Sequence, residues 1–227
     1  MTRGMHRSLP IAAVILGMAC SDSSSGRSPT EPAAASDAVT TAVAPVVVVL
    51  GDSLTAGPGL NSSEAYPARL QEHARASGYK HRIVNAGVSG DTTTDAVIRF
   101  QRALLPDTRV LVVALGANDG LRGHPTDTVK SNLRRIIEPA KSRDIRVLLC
   151  GMETPPSHGW DYSVRFHNIY PDLARELDVP LMPFLLAGVF GDERLNLPDG
   201  FHPNAAGMRV IADEMWPFLE PLLKATS

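Results

Sequence analysis

Apolar runs alternate with amphipathic stretches from about residue 45 to residue 223. The run from Val46 to Leu50 is unbroken, which is typical of a strand buried on both faces of a parallel sheet. Shorter apolar runs predict four further strands, at residues 82–85, 110–115, 146–151 and 181–183. Because strand and helix units alternate, the pattern predicts a three-layer α/β/α fold, in which helices cover both faces of a central parallel sheet of about five strands.

Two of the amphipathic stretches predict long helices. In residues 126–142 the apolar positions fall on one face of a helix, and Thr126, which follows Pro125, is the predicted N-cap. A second apolar stripe predicts a helix near the C-terminus, and its members are Val210, Ile211, Met215, Phe218 and Leu219.

Residues 1–20 have the layout of a secretory signal peptide: a basic start, a short apolar stretch and small residues before Cys20. The apolar stretch is too short to span a bilayer as a helix. Its end, Leu16 to Cys20, resembles the cleavage box of bacterial lipoproteins, so Cys20 is the candidate lipidation site. The alternative is an ordinary signal peptide that contains a cysteine. Both interpretations predict an exported protein of the cell envelope. The lipoprotein interpretation also predicts a lipid anchor to a membrane.

Residues 21–44 are rich in Ser, Thr, Ala and Pro and show no apolar periodicity, which predicts a flexible linker. Residues 45–227 then form the one folded domain that a chain of 227 residues favours. The net charge of −2 argues against nucleic-acid binding. Neither a CxxC pair nor a zinc-binding histidine spacing occurs, so we expect no structural metal. Cys150 lies in an apolar run and is predicted to be buried. His73 and His81 are predicted to be exposed. We take the protein to be a monomer.

Polar motifs follow the predicted strands, and in parallel α/β sheets the active site lies beyond the carboxyl ends of the strands. Ser53, in Gly-Asp-Ser-Leu-Thr, comes directly after the first strand and can present its hydroxyl there. Gly90, after the second strand, can offer a backbone N–H to a substrate oxygen, and Asn118, after the third, can offer its side-chain amide. Each motif alone also fits an ordinary turn or helix start. We interpret the neighbouring Asp52 and Asp119 as structural groups that bond loop amides.

A fourth motif, Asp199-Gly200-Phe201-His202-Pro203, lies before the last predicted helix. A neutral His202 can remove the proton of a serine, while Asp199 holds the other ring nitrogen and stabilises the imidazolium that forms. Alone, this spacing is also compatible with a loop detail or a helix start.

Together and in this order, the four motifs resemble those of the GDSL or SGNH hydrolase family. The resemblance runs from residue 46 to about residue 222 and implies a flavodoxin-like fold. It implies Ser53 as nucleophile, with Asp199 and His202 completing the catalytic set. It also implies an oxyanion hole built from the backbone N–H groups of Ser53 and Gly90 and the side chain of Asn118.

Within that family the chain is most similar to bacterial arylesterases and to the multifunctional acyl-CoA thioesterase and lysophospholipase, through residues 51–60, 65–67, 120–123 and 202–207. This implies a small ester, thioester or lysophospholipid substrate. Ala117 and Phe201 depart from the commoner residues of the family without removing a catalytic atom. Residues 152–162 are predicted to form a substrate-facing loop. A carbohydrate O-acetylesterase and a non-catalytic binding domain on the same fold remain as alternatives.

Overall fold

A computed structural model describes residues 43–227, in which five parallel strands build one sheet. The strands are β1 (Val46–Gly51), β2 (Arg82–Gly87), β3 (Thr108–Ala114), β4 (Arg146–Cys150) and β5 (Leu181–Met182). Their order across the sheet is β2-β1-β3-β4-β5, which is the flavodoxin-like order. The predicted α/β fold and its number of strands are therefore confirmed.

The described part of the chain has seven α-helices, of which the first six lie between strands and the last follows β5: α1 (Ser53–Ala56), α2 (Tyr66–Ala76), α3 (Thr93–Ala103), α4 (Ala117–Arg122), α5 (Thr126–Lys141), α6 (Trp160–Leu177) and α7 (Ala205–Lys224). Because β2 and β3 lie on opposite sides of β1, right-handed crossovers put α2 and α3 on opposite faces of the sheet. Helix α7 packs beside α2, and α5 packs between α3 and α6. These two groups of helices are the outer layers.

The core lies along the three central strands. Residues 46–50 of β1 are at most 1% exposed, and the apolar residues of β3 and β4 are buried equally well. Strand β2 is only half buried because it forms the edge of the sheet and has one neighbouring strand. Cys150 is buried at the end of β4, as predicted, and its burial raises the pKa of the thiol above its ordinary value.

Two local predictions were wrong. Pro125 occupies the N-cap position of α5 and Thr126 is the first helical residue, because the extended backbone of the proline already suits the N-cap. His81 is buried rather than exposed, because the C-terminal end of the chain covers it and its Nε2 lies 3.0 Å from Oγ1 of Thr226. That burial lowers the pKa of His81.

None of the helices within residues 43–227 is long and apolar enough to cross a membrane. The predicted signal peptide, the lipidation site at Cys20 and nearly all of the predicted linker lie outside the described residues.

Candidate active site

The chain changes its direction of crossover between β1 and β3, and ligands of such sheets bind in the crevice that opens at this point. Ser53 begins α1 immediately beyond β1, and Asn118 lies in the first turn of α4 beyond β3. Gly90 lies in the loop that follows β2. The carboxyl ends of three neighbouring strands thus bring these three residues to the same edge of the sheet.

Ser53, His202 and Asp199 form one continuous chain of hydrogen bonds. The hydroxyl of Ser53 lies 2.9 Å from Nε2 of His202, and Nδ1 of His202 lies 2.7 Å from Oδ2 of Asp199. The other carboxylate oxygen, Oδ1, accepts the backbone N–H groups of Phe201 and His202. These bonds to His202 and Phe201 lower the pKa of Asp199 to about 2, so its carboxylate is ionised at neutral pH.

The loop before α7 holds His202 in this position. Gly200 adopts a left-handed backbone (φ 74°), which allows side chains only three residues apart to face each other. The carbonyl of His202 accepts the N–H of Leu197 at 2.7 Å. Asn204 caps α7 through the N–H groups of the first helical turn and donates its side-chain amide to the carbonyl oxygens of Arg194 and Asn196. These hydrogen bonds therefore hold the turn that carries the imidazole of His202.

Three N–H groups close to the serine lack an acceptor within the described chain. Among residues 43–227, the backbone N–H groups of Ser53 and Gly90 have no hydrogen-bond acceptor. Gly90 has a φ of 87°, a left-handed conformation that favours glycine. The amide Nδ2 of Asn118 donates one proton to the carbonyl of Asp91 at 3.0 Å, which orients the group and leaves its second N–H available.

A cavity of about 460 Å³ opens above these groups. Its size is within the range of small-molecule sites. Most of its wall is apolar, and the lining residues are Ser53, Leu54, Pro58, Ser89, Gly90, Ala117, Asn118, Leu121, Glu153, Pro155, Leu186, Phe190, Phe201 and His202. Of the predicted substrate loop, only Glu153 and Pro155 line the cavity, whereas His158 turns to the carbonyl of Leu121.

Comparison with known proteins identifies the family. The family model described as GDSL-like Lipase/Acylhydrolase family matches residues 49–210. The chain belongs to the GDSL-like lipase/acylhydrolase family. It is 37% identical to esterase TesA of Pseudomonas aeruginosa, over 80% of this chain and 91% of that protein. It is also 37% identical to thioesterase 1/protease 1/lysophospholipase L1 of Escherichia coli K12, over 82% of this chain and 88% of that protein.

A crystal structure of TesA matches the fold of this GDSL-family chain with a TM-score of 0.74 and 35% sequence identity, covering 78% of this chain and 99% of that one. The predicted family and the predicted class of enzyme, an ester hydrolase, are thereby confirmed.

Asn118 offers a direct test of the donor set in this GDSL-family member. We expect Asn118→Ala to lower kcat roughly a hundredfold, because it removes one of the three donors predicted for the oxyanion hole. KM should change much less, since the lost hydrogen bond strengthens as charge develops on the oxygen. Asn168→Ala, an exposed asparagine on α6, is the matched control for steady-state kinetics. A kcat close to that of the wild type in Asn118→Ala would remove Asn118 from the oxyanion hole.

Sequence reasoning missed Arg99, on α3. Its Nη2 donates to the carbonyl of Gly51 and its Nη1 to the carbonyl of Ala86, both at 2.9 Å, while Nε bonds the carboxylate of Asp91. One guanidinium therefore joins the ends of β1 and β2 to the loop that carries Gly90. A lone arginine in a helix gives no local signal of this, because its three acceptors lie on segments far apart in sequence.

Asp52 and Asp119 both bond backbone N–H groups, as interpreted from the sequence, but these groups lie in the first turns of α1 and α3 and not in loops. Asp119 is fully buried and accepts the backbone N–H and the hydroxyl of Thr93, each at 2.8 Å. Asp52 is also fully buried and accepts the N–H of Leu54 through Oδ1, while its Oδ2 has no hydrogen-bond partner within residues 43–227. Asp119 thus joins α4 to α3, and Asp52 braces the turn that carries Ser53.

The pKa of Asp52 predicts a pH dependence of stability. Burial raises this pKa to about 7, despite the opposing hydrogen bond from Leu54. The folded state therefore holds the Asp52 proton more tightly than the unfolded chain, so the contribution of Asp52 to the free energy of unfolding falls as pH rises from about 4 to about 7. The fall amounts to at most about 4 kcal/mol, since one pKa unit corresponds to about 1.4 kcal/mol.

Asp52→Asn should flatten this dependence. We expect urea unfolding at pH 5 and pH 8 to give a smaller difference in stability for the variant than for the wild type. Asp161→Asn, at an exposed position of α6, should leave the difference as it is. An unchanged difference in Asp52→Asn would mean that Asp52 does not titrate in this range.

Proposed function

We propose that this protein is a serine hydrolase that cleaves carboxylic esters or thioesters through an acyl-enzyme on Ser53. The observation that carries the proposal is the hydrogen-bonded chain from the Ser53 hydroxyl through His202 to Asp199, at the floor of an apolar cavity. A nucleophile, a base and a carboxylate that orients the base are what acyl transfer requires.

In the first half of the reaction, the oxygen of Ser53 bonds to the carbonyl carbon of the substrate while His202 takes the hydroxyl proton at Nε2. The ionised Asp199 stabilises the resulting imidazolium through Nδ1. The tetrahedral intermediate then collapses: the bond to the leaving oxygen or sulfur breaks, and His202 returns the proton to it as an alcohol or thiol. The acyl group stays on Ser53.

In the second half, water takes the place of the leaving group. His202 removes a proton from the water as its oxygen bonds to the acyl carbon, and then returns that proton to the oxygen of Ser53 as the acid is released. Both tetrahedral intermediates carry a negative oxygen, for which the N–H groups of Ser53 and Gly90 and the amide of Asn118 are the proposed donors. These steps call for no cofactor.

The apolar lining favours an acyl or aryl group over a sugar, because a sugar would leave hydroxyl groups without partners against that wall. The names of the relatives include esterase, thioesterase and lysophospholipase, and we propose a small ester, thioester or lysophospholipid as the substrate here. Carbohydrate O-acetylesterase activity is the second candidate, since the same motifs occur on such enzymes.

Activity on p-nitrophenyl esters of increasing acyl length, compared with acetylated sugars, tests the proposal. We expect hydrolysis of the p-nitrophenyl esters to exceed deacetylation of the sugars. A fluorophosphonate probe, which labels an activated serine, separates both enzymes from a non-catalytic binding domain. Failure of the wild type to take up the probe would contradict the proposed function.

We further propose that the protein is exported to the cell envelope as a monomer, with residues 1–20 as its signal peptide and residues 21–44 as a linker. Lipidation at Cys20 would anchor it to a membrane. Intact-mass measurement of the mature protein tests both steps: cleavage before Cys20 with the added mass of lipid is the expected result, and a mature chain without lipid would leave only export.

A further inference from the structure

Glu153 carries the one acidic side chain of the cavity wall, and no lysine or arginine is among the lining residues that the structure describes. Resting on the proposed function, we propose that Glu153 selects substrates by charge. It disfavours esters and thioesters with an anionic group on the arm that lies against it, and it favours neutral or cationic ones.

The position of Glu153 follows from the end of β4. Gly151, the first residue after β4, is held by two backbone hydrogen bonds. Its N–H donates to the carbonyl of Met182, and its own carbonyl accepts the N–H of Leu185. Two residues later, the carboxylate of Glu153 lies 2.7 Å from Nδ1 of His167 on α6. The side chain is 41% exposed, so the carboxylate also remains in contact with water. The carboxylate is therefore held at the wall and does not swing freely in solvent.

The surrounding charges do not cancel Glu153 inside the cavity. His167, its partner, is 57% exposed and does not line the cavity. Arg122 donates through Nη2 to the carbonyl of Gly90 at 3.2 Å, and it is not a lining residue either. An anionic group that enters the cavity thus meets the negative charge of Glu153 in a wall that is mostly apolar.

The expected size of the effect follows from Coulomb's law. Two like charges about 4 Å apart repel enough in water to change an equilibrium roughly fivefold, and more in the less polar environment of a cavity. Salt screens such a repulsion where the groups remain in contact with solvent. We therefore expect charge discrimination on the order of three- to tenfold in kcat/KM, which decreases as the ionic strength rises.

Two matched substrate pairs test the two arms separately. Butyryl-CoA and butyryl-N-acetylcysteamine share the acyl group, the thioester and the cysteamine amide, and the longer leaving group of butyryl-CoA adds adenosine and anionic phosphates. The p-nitrophenyl monoester of adipic acid and p-nitrophenyl hexanoate share the leaving group and differ in a terminal carboxylate on the acyl chain. The readout is the ratio of kcat/KM values, neutral over anionic, within each pair.

For the pair whose charged arm lies against Glu153, the ratio should fall about three- to tenfold in Glu153→Gln. In Glu153→Lys it should fall further, because attraction replaces repulsion. Glu214→Gln, at an exposed position of α7 remote from the cavity lining, is the matched control and should leave both ratios unchanged. Added salt should lower the neutral-over-anionic ratio of kcat/KM values more in the wild type than in Glu153→Gln.

Ratios that stay the same in Glu153→Gln for both pairs overturn the proposal. So does an equal change in both members of a pair, because such a change reflects altered geometry and not charge. A wild type that hydrolyses none of these substrates would contradict the proposed function itself, which is distinct from a failure of the charge proposal. Because glutamine matches glutamate in shape at a partly exposed site, this variant tests the proposal even if Glu153→Lys does not fold.

Discussion

Ser53→Ala should lower kcat by roughly a millionfold, since removal of the nucleophile alone eliminates nearly all the contribution of a catalytic serine, histidine and aspartate that act as a unit. The fold should stay intact, because the Ser53 side chain contacts the described chain through one hydrogen bond, to His202, and the turn itself is held by the carboxylate of Asp52. Fixed-time assays of p-nitrophenyl butyrate hydrolysis measure the decrease in kcat, and thermal unfolding checks that the variant is folded.

The control for this variant is Ser63→Ala, which removes an exposed hydroxyl from the turn before α2. We expect wild-type kinetics from the control and complete loss of fluorophosphonate labelling in Ser53→Ala alone. Labelling that persists in Ser53→Ala would place the nucleophile on another residue.

Asp199→Asn should lower kcat by about a thousandfold to ten-thousandfold, as expected when the orienting carboxylate is replaced by an amide. Oδ1 of the asparagine can still accept the N–H groups of Phe201 and His202, so the loop keeps its bonds. The amide nitrogen, however, replaces Oδ2 opposite Nδ1 of His202. It donates to Nδ1, which pushes the ring proton to Nε2 and leaves no lone pair there to accept the proton of Ser53.

This chain offers a closely matched control, because another histidine and aspartate pair joins α2 to α7. Nε2 of His73 lies 2.7 Å from Oδ1 of Asp213, and neither residue lines the cavity. Asp213→Asn should leave kcat unchanged. Kinetics of Asp199→Asn within a few-fold of the wild type would show that Asp199 acts only on the structure of the loop.

Local patterns of apolar and polar residues were sufficient to predict the strands of the sheet and the α/β class of the fold. The unbroken run of β1 predicted a strand buried on both faces, and the structure has it at the centre of the sheet. Strand bounds were off by one or two residues, as at β2, which extends to Gly87. The N-cap of α5 was wrong because capping depends on the backbone conformation of Pro125, which residue type alone does not settle.

Ser53, Gly90 and Asn118 could be proposed from the sequence because each stands directly after a strand, and the carboxyl ends of parallel strands meet at one edge. The same sequence does not reveal Arg99, and it puts Glu153 in a predicted substrate-facing loop without singling it out. Arg99 acts on three segments that only the folded sheet brings together, and Glu153 reaches the cavity only because α6 and β4 place it there.

What the sequence by itself determined is therefore the order of strands and helices, the family and the residues that follow each strand, since all of these depend on short-range patterns along the chain. The tertiary structure alone decided which groups are buried, as at Asp52 and His81, and which charges face the cavity, as at Glu153. The physical reason is that burial and electrostatic environment depend on every segment packed around a group, and most of those segments are remote in sequence.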